Sequence, residues 1–411
     1  MPVIRSAPYT NIRFRILKAC AGRWRTDTDT QMIPKPQPHG WGFFICGKLS
    51  YDYGGSERYA GARETMEKTR QIILPEAWSQ QRPWLDHPEA DIDAYVASLG
   101  KLPDYDLQAK LHAWKRDGIV IFEGAVSHKA IDAYLADIDL LIRNFRDYEI
   151  PVEVKGKQLS SREMDAFPDD LTGVKLNQMH WFSKTAARLS LTPQVTDFLK
   201  HVFRAPPTVC QSLTFWRGSE QPIHIDYPYV REQNPLSFLA ASWVPLEDVH
   251  PDAGPLGYHP GAHNIERSGF FDWGEGSIIH DEHSQRTPME FAQHLWARMA
   301  AEGISRQEFC PKKGDVLIWH GNMPHEGTRV KDPSRTRKSY VSHYTAEWAA
   351  PDWMRNHDIF GRPVGLFENG GNSFQPPWVD TLPVLPSWGR GRPLTARTVN
   401  NLARKLINRF R

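Results

Sequence analysis

Cysteine is scarce in this chain. The four residues in 411, Cys20, Cys46, Cys210 and Cys310, form no CxxC pair and no close spacing, which argues against both a zinc ribbon and a disulfide scaffold and fits a reducing cytoplasm. Long apolar runs are also missing. No stretch approaches the roughly 18 residues of a membrane-spanning helix, and the opening MPVIRSAPYTNIRFRILK is too polar for a secretory leader. A charge excess is absent as well: 50 Lys and Arg against 48 Asp and Glu leave +2, so no global argument exists for a nucleic-acid or membrane partner. There is no internal repeat and no low-complexity tract. These absences lead us to expect a soluble cytoplasmic protein.

Positive signals divide the chain into three parts. Residues 1–104 are rich in Pro, Gly, Trp and Tyr (IPKPQPHGWGFF, YDYGGSERYAG, WSQQRPWLDHP) with little periodicity, which predicts a loop-rich extension held by aromatic packing. From Tyr105 the pattern sharpens. Leu107, Leu111 and Trp114 share one helical face with Gly118 as the stop, and Ile119 to Phe122 read as a buried strand. Ser127 caps a second helix carrying Ile131, Leu135, Ile138 and Ile142. A further helix is expected near Val195 to Val202. Short strands then follow, SLTFWR, SFLAASWVPL, GDVLIWH and RKSYVSHYT, punctuated by Gly and Pro. This predicts an α+β, mainly β fold, a barrel or sandwich buttressed by helices. Residues 264–310 interrupt the strands as a polar, partly helical insertion or lid. Residues 351–411 form a C-terminal extension, ending in TVNNLARKLINRFR, a basic amphipathic helix with Val399, Leu402, Leu406 and Phe410 on one face.

The chemistry gathers around His224, Ile225 and Asp226 in QPIHIDYPYV, with His325 in WHGNMPHEGTR and Arg337 in SRTRKSY far downstream. In an extended segment, residues i and i+2 project to one side, so His224 and Asp226 can reach one metal while Ile225 turns to the core. Two imidazoles and a carboxylate hold ferrous iron on one face and leave its other positions open. An H-x-D triplet alone is cheap: His250-Pro251-Asp252 is a second copy, and His280-Asp281-Glu282 is an H-x-E. The proline and the following Ala-Gly-Pro place the His250 copy in a solvated turn. His320 competes with His325 as the remote ligand.

Context decides among these candidates. KRDGIVIFEGAVSHKAIDAYLADIDLL, PIHID, ASWVPLEDVHPDAGPLGYHPGAHN, GDVLIWHGNMPHEG and RKSYVSHYT, in this order across residues 105–350, together resemble the phytanoyl-CoA dioxygenase family of iron- and 2-oxoglutarate-dependent oxygenases. The resemblance implies a double-stranded β-helix, a jelly-roll or cupin-like barrel, with the metal near one mouth. It carries the metal ligands onto His224, Asp226 and His325. It carries the 2-oxoglutarate arginine onto Arg337, which lies 12 residues after His325 and 17 after His320; the shorter spacing matches the family and selects His325. By the same resemblance Lys175 and Trp243 line the 2-oxoglutarate pocket. HEGT stands where relatives often have HGS, which leaves the hydroxyl partner, Thr328 for instance, open.

The implied cofactors are Fe(II), 2-oxoglutarate as co-substrate and O2. The implied reaction hydroxylates an unactivated C–H bond of a small organic substrate, releasing succinate and CO2. An arginine suits the distal carboxylate because its planar fork binds bidentately, and alternation puts Arg337, Ser339, Val341 and His343 on one face of the strand RKSYVSHYT. Halogenating relatives have a small residue in place of the carboxylate, so Asp226 favours hydroxylation. Trp216, Arg217, Tyr227, Tyr229 and Arg231 are expected around the mouth if the loop after the H-x-D folds over it. The competing readings are a zinc hydrolase built on the same three ligands, and a non-catalytic binding protein. The basic C-terminal helix offers at most a peripheral membrane contact, and no nucleic-acid partner is expected.

Overall fold

The computed structural model describes residues 82–230, 237–264, 287–376 and 379–382. Residues 1–81 of the N-terminal extension, Arg231, residues 265–286 of the 264–310 interruption, with His280 to Glu282 among them, and the basic C-terminal segment lie outside the described residues.

Helices cover the outer side of the fold. They are α1 (Ile92–Ala97), α2 (Leu107–Asp117), α3 (His128–Arg143), α4 (Met179–Phe182), α5 (Lys184–Ser190), α6 (Pro193–Phe203) and α7 (Pro288–Ala301). In α2, Leu107, Leu111 and Trp114 are buried as their spacing predicts, and Asp106 caps the first turn by accepting from Ala109 N. Gly118 ends it in the left-handed region at φ 71°, returning its N–H to the Trp114 carbonyl. The Ser127 side chain caps α3 by accepting from Ala130 N. The buried stripe of α3 runs through Ile131, Tyr134, Ile138 and Leu141, rotated from the expected one. Leu135 and Ile142 are only half-buried. The reason is Tyr134, whose hydroxyl meets Thr214 Oγ1 and whose ring packs edge-on against Tyr340.

Strands are β1 (Ile119–Phe122), β2 (Pro151–Val154), β3 (Lys157–Ser160), β4 (Val174–Asn177), β5 (Pro207–Phe215), β6 (Ala240–Pro245), β7 (Leu256–Tyr258), β8 (Gln307–Phe309), β9 (Val316–His320), β10 (His325–Gly327), β11 (Ser339–Ala346), β12 (Gly365–Glu368) and β13 (Gly371–Phe374). The large sheet runs β1-β9-β6-β11-β5-β4-β2-β3, all antiparallel, and β13 joins it beside β5. The small sheet is β10-β7-β8, also antiparallel. The protein is therefore mainly antiparallel β with helices. The hairpin β2–β3 turns on two residues, Lys155 at φ 49° and Gly156 at φ 82°, the left-handed pair that a twisted two-residue hairpin requires.

Alternation gives the large sheet two different faces. Val120, Phe122, Ala240, Val244, Val316, Ile318, Tyr340 and Tyr344 enter the core shared with α2, α3, α5 and α6. Ile119, Phe215, Ala241, Trp243, Leu317, Trp319 and Val341 point the other way and cluster with Leu256 and Tyr258 of β7 and Phe309 of β8. The candidate site lies on this second face. Short strands outside the expected set also contribute to the sheets: β2, β3 and β4 extend the large one, β7, β8 and β10 form the small one, and the residues after 351 supply β12 and β13. Residues 84–95 pack on α6 through Trp84, whose Nε1 donates to the His201 carbonyl, and Tyr95, whose hydroxyl meets His201 Nδ1 at 2.8 Å and whose ring lies tilted 4.7 Å from Trp84. Among the described residues no helix is long and apolar enough to cross a membrane.

Gly118 is the sharpest steric constraint here, because a Cβ at this position meets the His263 ring at 2.3 Å as well as the left-handed φ. Gly118→Ala is expected to lower unfolding free energy by about 2–4 kcal/mol, seen as a reduced urea midpoint at constant slope. An unchanged midpoint contradicts this account of the turn.

Candidate metal centre

One backbone contact assembles the centre. His224 and His325 exchange both hydrogen bonds, N to O and O to N, each 2.9 Å. Residues paired in this way put their side chains on the same side of the ladder, and the two imidazoles lie with ring centroids 4.2 Å apart. His325 begins β10, so this bridge ties the H-x-D segment to the small sheet. Asp226 N donates to the Gly321 carbonyl at 2.9 Å, and the Asp226 carbonyl then closes a turn by accepting from Tyr229 and Val230. The H-x-D segment is thus a single bridge followed by a turn, shorter than a strand. Alternation survives: Ile225 is fully buried in a separate cluster with Ile223 and Leu239.

Nitrogen or oxygen atoms of His224, Asp226 and His325, one from each, all lie within 4.8 Å of one another, and all three residues are buried. The outer ring nitrogens are committed elsewhere. His224 Nδ1 donates to the Pro222 carbonyl at 3.0 Å and His325 Nδ1 to the Met323 carbonyl at 2.9 Å. A carbonyl only accepts, so each Nδ1 carries a proton and Nε2 is the nitrogen left to face a ligand. His325 Nε2 is 3.6 Å from Asp226 Oδ1. Asp226 Oδ2 is held from the other side, accepting from Trp319 Nε1 at 2.7 Å, with His343 Nε2 at 3.5 Å. This donor set fits a divalent transition metal of the iron or zinc type, with one carboxylate oxygen left to face it.

Electrostatics agree with that reading. Burial, reinforced by His325, pushes the His224 imidazole down to about 3, so it is neutral at physiological pH. Burial alone raises the Asp226 carboxyl, but His325, His343 and His224 outweigh it and hold the group well below the usual carboxylate range.

Arg337 lies just before β11. It is 3 % exposed, with Nη1 donating to the Gly254 carbonyl at 2.9 Å, Nε unpartnered, and the guanidinium 5.6 Å from the Trp243 ring and 6.0 Å from Phe215. Among the described residues no carboxylate pairs with it, and desolvation lowers its pKa to about 10. Lys175 approaches the same Phe215 ring at 5.8 Å but forms an ion pair with Glu153 at 2.7 Å. Its charge reaches far enough to help depress His224.

The remaining expectations divide. His320 is turned to the helix side, where Nε2 meets Asp86 Oδ2 at 3.1 Å and Nδ1 accepts from Asn322 N; it follows Trp319 in β9, and alternation sends the two side chains to opposite faces. His250 and Asp252 are exposed and face each other in a turn. Tyr229 packs edge-on at 5.7 Å from the His224 ring. Tyr227 is instead buried beside His320, Trp216 packs on Phe167, and Arg217 binds the carbonyls of Pro333 and Arg335 at the surface, so these three are not brought to the metal face. Thr328 Oγ1 donates to the Pro255 carbonyl. Three neighbours carry no motif signal: Trp319, His343 and Gln221, whose Nε2 lies 3.1 Å from His224 Nε2. Only the alternation of β11, which pairs His343 with Arg337, hints at one of them.

The family model described as phytanoyl-CoA dioxygenase (PhyH) matches residues 114–339, more than half of the chain. A Caenorhabditis elegans homolog of phytanoyl-CoA dioxygenase domain-containing protein 1 is 19% identical over 294 residues, covering 63% of this chain and 98% of that protein. The Danio rerio protein of that name is 21% identical over 188 residues, 43% of this chain and 60% of its own length. Among solved structures, EctD from S. alaskensis with 2-oxoglutarate and 5-hydroxyectoine is similar at 16% identity and a TM-score of 0.43, covering 76% of this chain and 92% of that one.

Trp319→Phe removes the indole donor to Asp226 while keeping the ring. Outer partners of this type are worth about 10–100-fold in metal affinity, so Fe(II) or Co(II) titration is expected to show at least tenfold weaker binding. Equal affinity in the variant contradicts the role given to this hydrogen bond.

Proposed function

The chain belongs to the phytanoyl-CoA dioxygenase family, and from that premise we propose that it is an Fe(II)- and 2-oxoglutarate-dependent dioxygenase that hydroxylates an unactivated C–H bond of a small organic substrate. His224 Nε2, Asp226 Oδ1 and His325 Nε2 are the metal ligands. When bound, iron with 2-oxoglutarate supplies dioxygen activation, with succinate and CO2 as co-products. The chain's own residues hold that chemistry in place. The Pro222 and Met323 carbonyls fix both imidazoles by their Nδ1–H groups, and Trp319 restrains the second Asp226 oxygen so that one oxygen faces the ion.

The observation that carries this reading is Arg337. A buried guanidinium with one carbonyl partner and, among the described residues, no carboxylate calls for an anion, and it sits on the face of the large sheet that also carries His343 beside Asp226. The distal carboxylate of 2-oxoglutarate supplies that anion bidentately. Trp243 covers the guanidinium, and Lys175, already paired with Glu153, contributes positive potential. A hydrolytic zinc site leaves Arg337 without a task. We read residues 105–350 as the oxygenase domain, its two sheets as the halves of a double-stranded β-helix, with 1–104 and 351–411 as extensions and 264–310 as an insertion near the mouth. Scarce cysteine without close spacing suits a cytoplasmic enzyme.

Anaerobic addition of Fe(II) and then 2-oxoglutarate is expected to give the weak visible charge-transfer band of the chelate. Asp226→Ala abolishes both the band and metal-dependent succinate formation. Arg337→Lys keeps a charge but loses the fork, and raises the 2-oxoglutarate concentration for half-formation of the band roughly 30-fold, about 2 kcal/mol. Absence of the band in the intact protein, or succinate formation surviving Asp226→Ala, sinks the assignment.

A further inference from the structure

Charge accounting on the metal face leaves a set of neutral polar groups. Asp226 faces the proposed metal, Arg337 the co-substrate, and Lys175 is neutralised by Glu153. What remains is borne by β3, β4 and β5. Gln211 of β5 is directly opposite His343 of β11. By alternation it points to the same side as Leu213 and Phe215, which line the cluster between the sheets. The residue is 7 % exposed. His343 is 3 % exposed; its Nε2 faces Asp226 Oδ2 at 3.5 Å and its Nδ1 has no hydrogen-bond partner.

Next to them stands a ladder of side chains on β2, β3 and β4. Lys175 meets Glu153 at 2.7 Å, Glu153 accepts from Gln158 Nε2 at 2.7 Å, and Gln158 Oε1 accepts from Asn177 Nδ2 at 3.1 Å. The ladder ends on Asn177 Oδ1, a buried oxygen with no partner. Asn177 is opposite Leu213, so Gln211 is its diagonal neighbour, about 7 Å away. The other face of these strands is apolar, Val152, Val174 and Leu176, and enters the helix-side core. The polar side therefore faces the metal side of the sheet.

A buried amide oxygen without a partner, here Asn177 Oδ1, costs free energy unless something meets it. Resting on the oxygenase reading above, we propose that this amide wall, Gln211 and Asn177 backed by Gln158, binds the primary substrate, and that the substrate is neutral and rich in hydrogen-bonding groups, polyhydroxylated or amide-bearing, where it lies against the iron. An aliphatic chain at this position leaves that oxygen unpaired. Among the described residues a substrate carboxylate finds no free cation on this face, because Lys175 is paired with Glu153 and Arg337 is assigned to the co-substrate.

The test uses the full chain with Fe(II), ascorbate, 2-oxoglutarate and oxygen, and reads succinate formation with a panel of hexoses, methyl glycosides, nucleosides and amino-acid amides against medium- and long-chain acyl thioesters. At least one neutral polar class is expected to stimulate turnover saturably. Gln211→Leu and Asn177→Leu, near-isosteric and apolar, each raise its half-saturating concentration about tenfold, while the anaerobic charge-transfer band keeps its wild-type 2-oxoglutarate midpoint. Stimulation by acyl thioesters alone, by no polar compound, or by a polar compound insensitive to both substitutions overturns the proposal while the band stays intact. Absence of the band in the wild type is a different failure, that of the oxygenase reading, and takes this inference with it.

Discussion

The reciprocal hydrogen bonds between the backbones of His224 and His325 are the contact on which the rest of the centre depends. They join a short segment after β5 to the first residue of β10, about one hundred positions later, and fix both imidazoles side by side. Every other feature of the centre is measured from that pair. Asp226 is carried two residues along on the same side, anchored by its own N–H to Gly321, and the second Asp226 oxygen is met by Trp319 from the large sheet. A metal at this place therefore spans both sheets, with ligands from the small-sheet side and an outer partner from the large one.

The centre is costly to keep without ligands. Imidazoles, a carboxylate and a guanidinium with no carboxylate partner among the described residues share a buried space, and each such group loses hydration on folding. The protein limits the cost by pairing what it can: carbonyls take both Nδ1 protons, an indole takes one carboxylate oxygen, and Glu153 takes Lys175. What stays unpaired is the inventory of what the proposed ligands must bring, a cation for Asp226 and an anion for Arg337. Ligands that bind only the folded state add stability by mass action, about 2.7 kcal/mol at one hundred times their dissociation constant, so iron and 2-oxoglutarate are expected to act as folding ligands as well as reactants.

Much of the fold was legible because its elements obey simple periods. Leu107, Leu111 and Trp114 with Gly118 define α2, Ser127 starts α3, and VLIWH and SYVSHYT read as strands β9 and β11. The hairpin β2–β3 carries far less signal: its strands have four residues each, KQLS is hardly apolar, and only the Lys155-Gly156 turn marks it. The rotation of α3 was likewise hidden, because Tyr134 is drawn inward by a hydroxyl on another element, Thr214. At the centre, the residues with motif spacing, His224, Asp226 and His325, come together. Trp319, His343 and Gln221 have no spacing rule relating them to the ligands, since they reach Asp226 and His224 across strand pairings instead of along the chain.

The sequence by itself determined the family, the α+β and mainly β class, and which histidine and carboxylate types were available for a metal, since these follow from local periodicity and from ordered motif segments. Only the tertiary structure brings His325, and not His320, beside His224 and Asp226. Adjacent residues of β9 must face opposite ways, so Trp319 takes the metal face and sends His320 to Asp86, while the bridge to His224 turns His325 inward. Tertiary structure also decided that Arg337 is buried with no counter-ion among the described residues and that Gln211 and Asn177 share its side of the sheet. Burial and pairing are properties of what packs against a residue, and that information is spread over strands far apart in the chain.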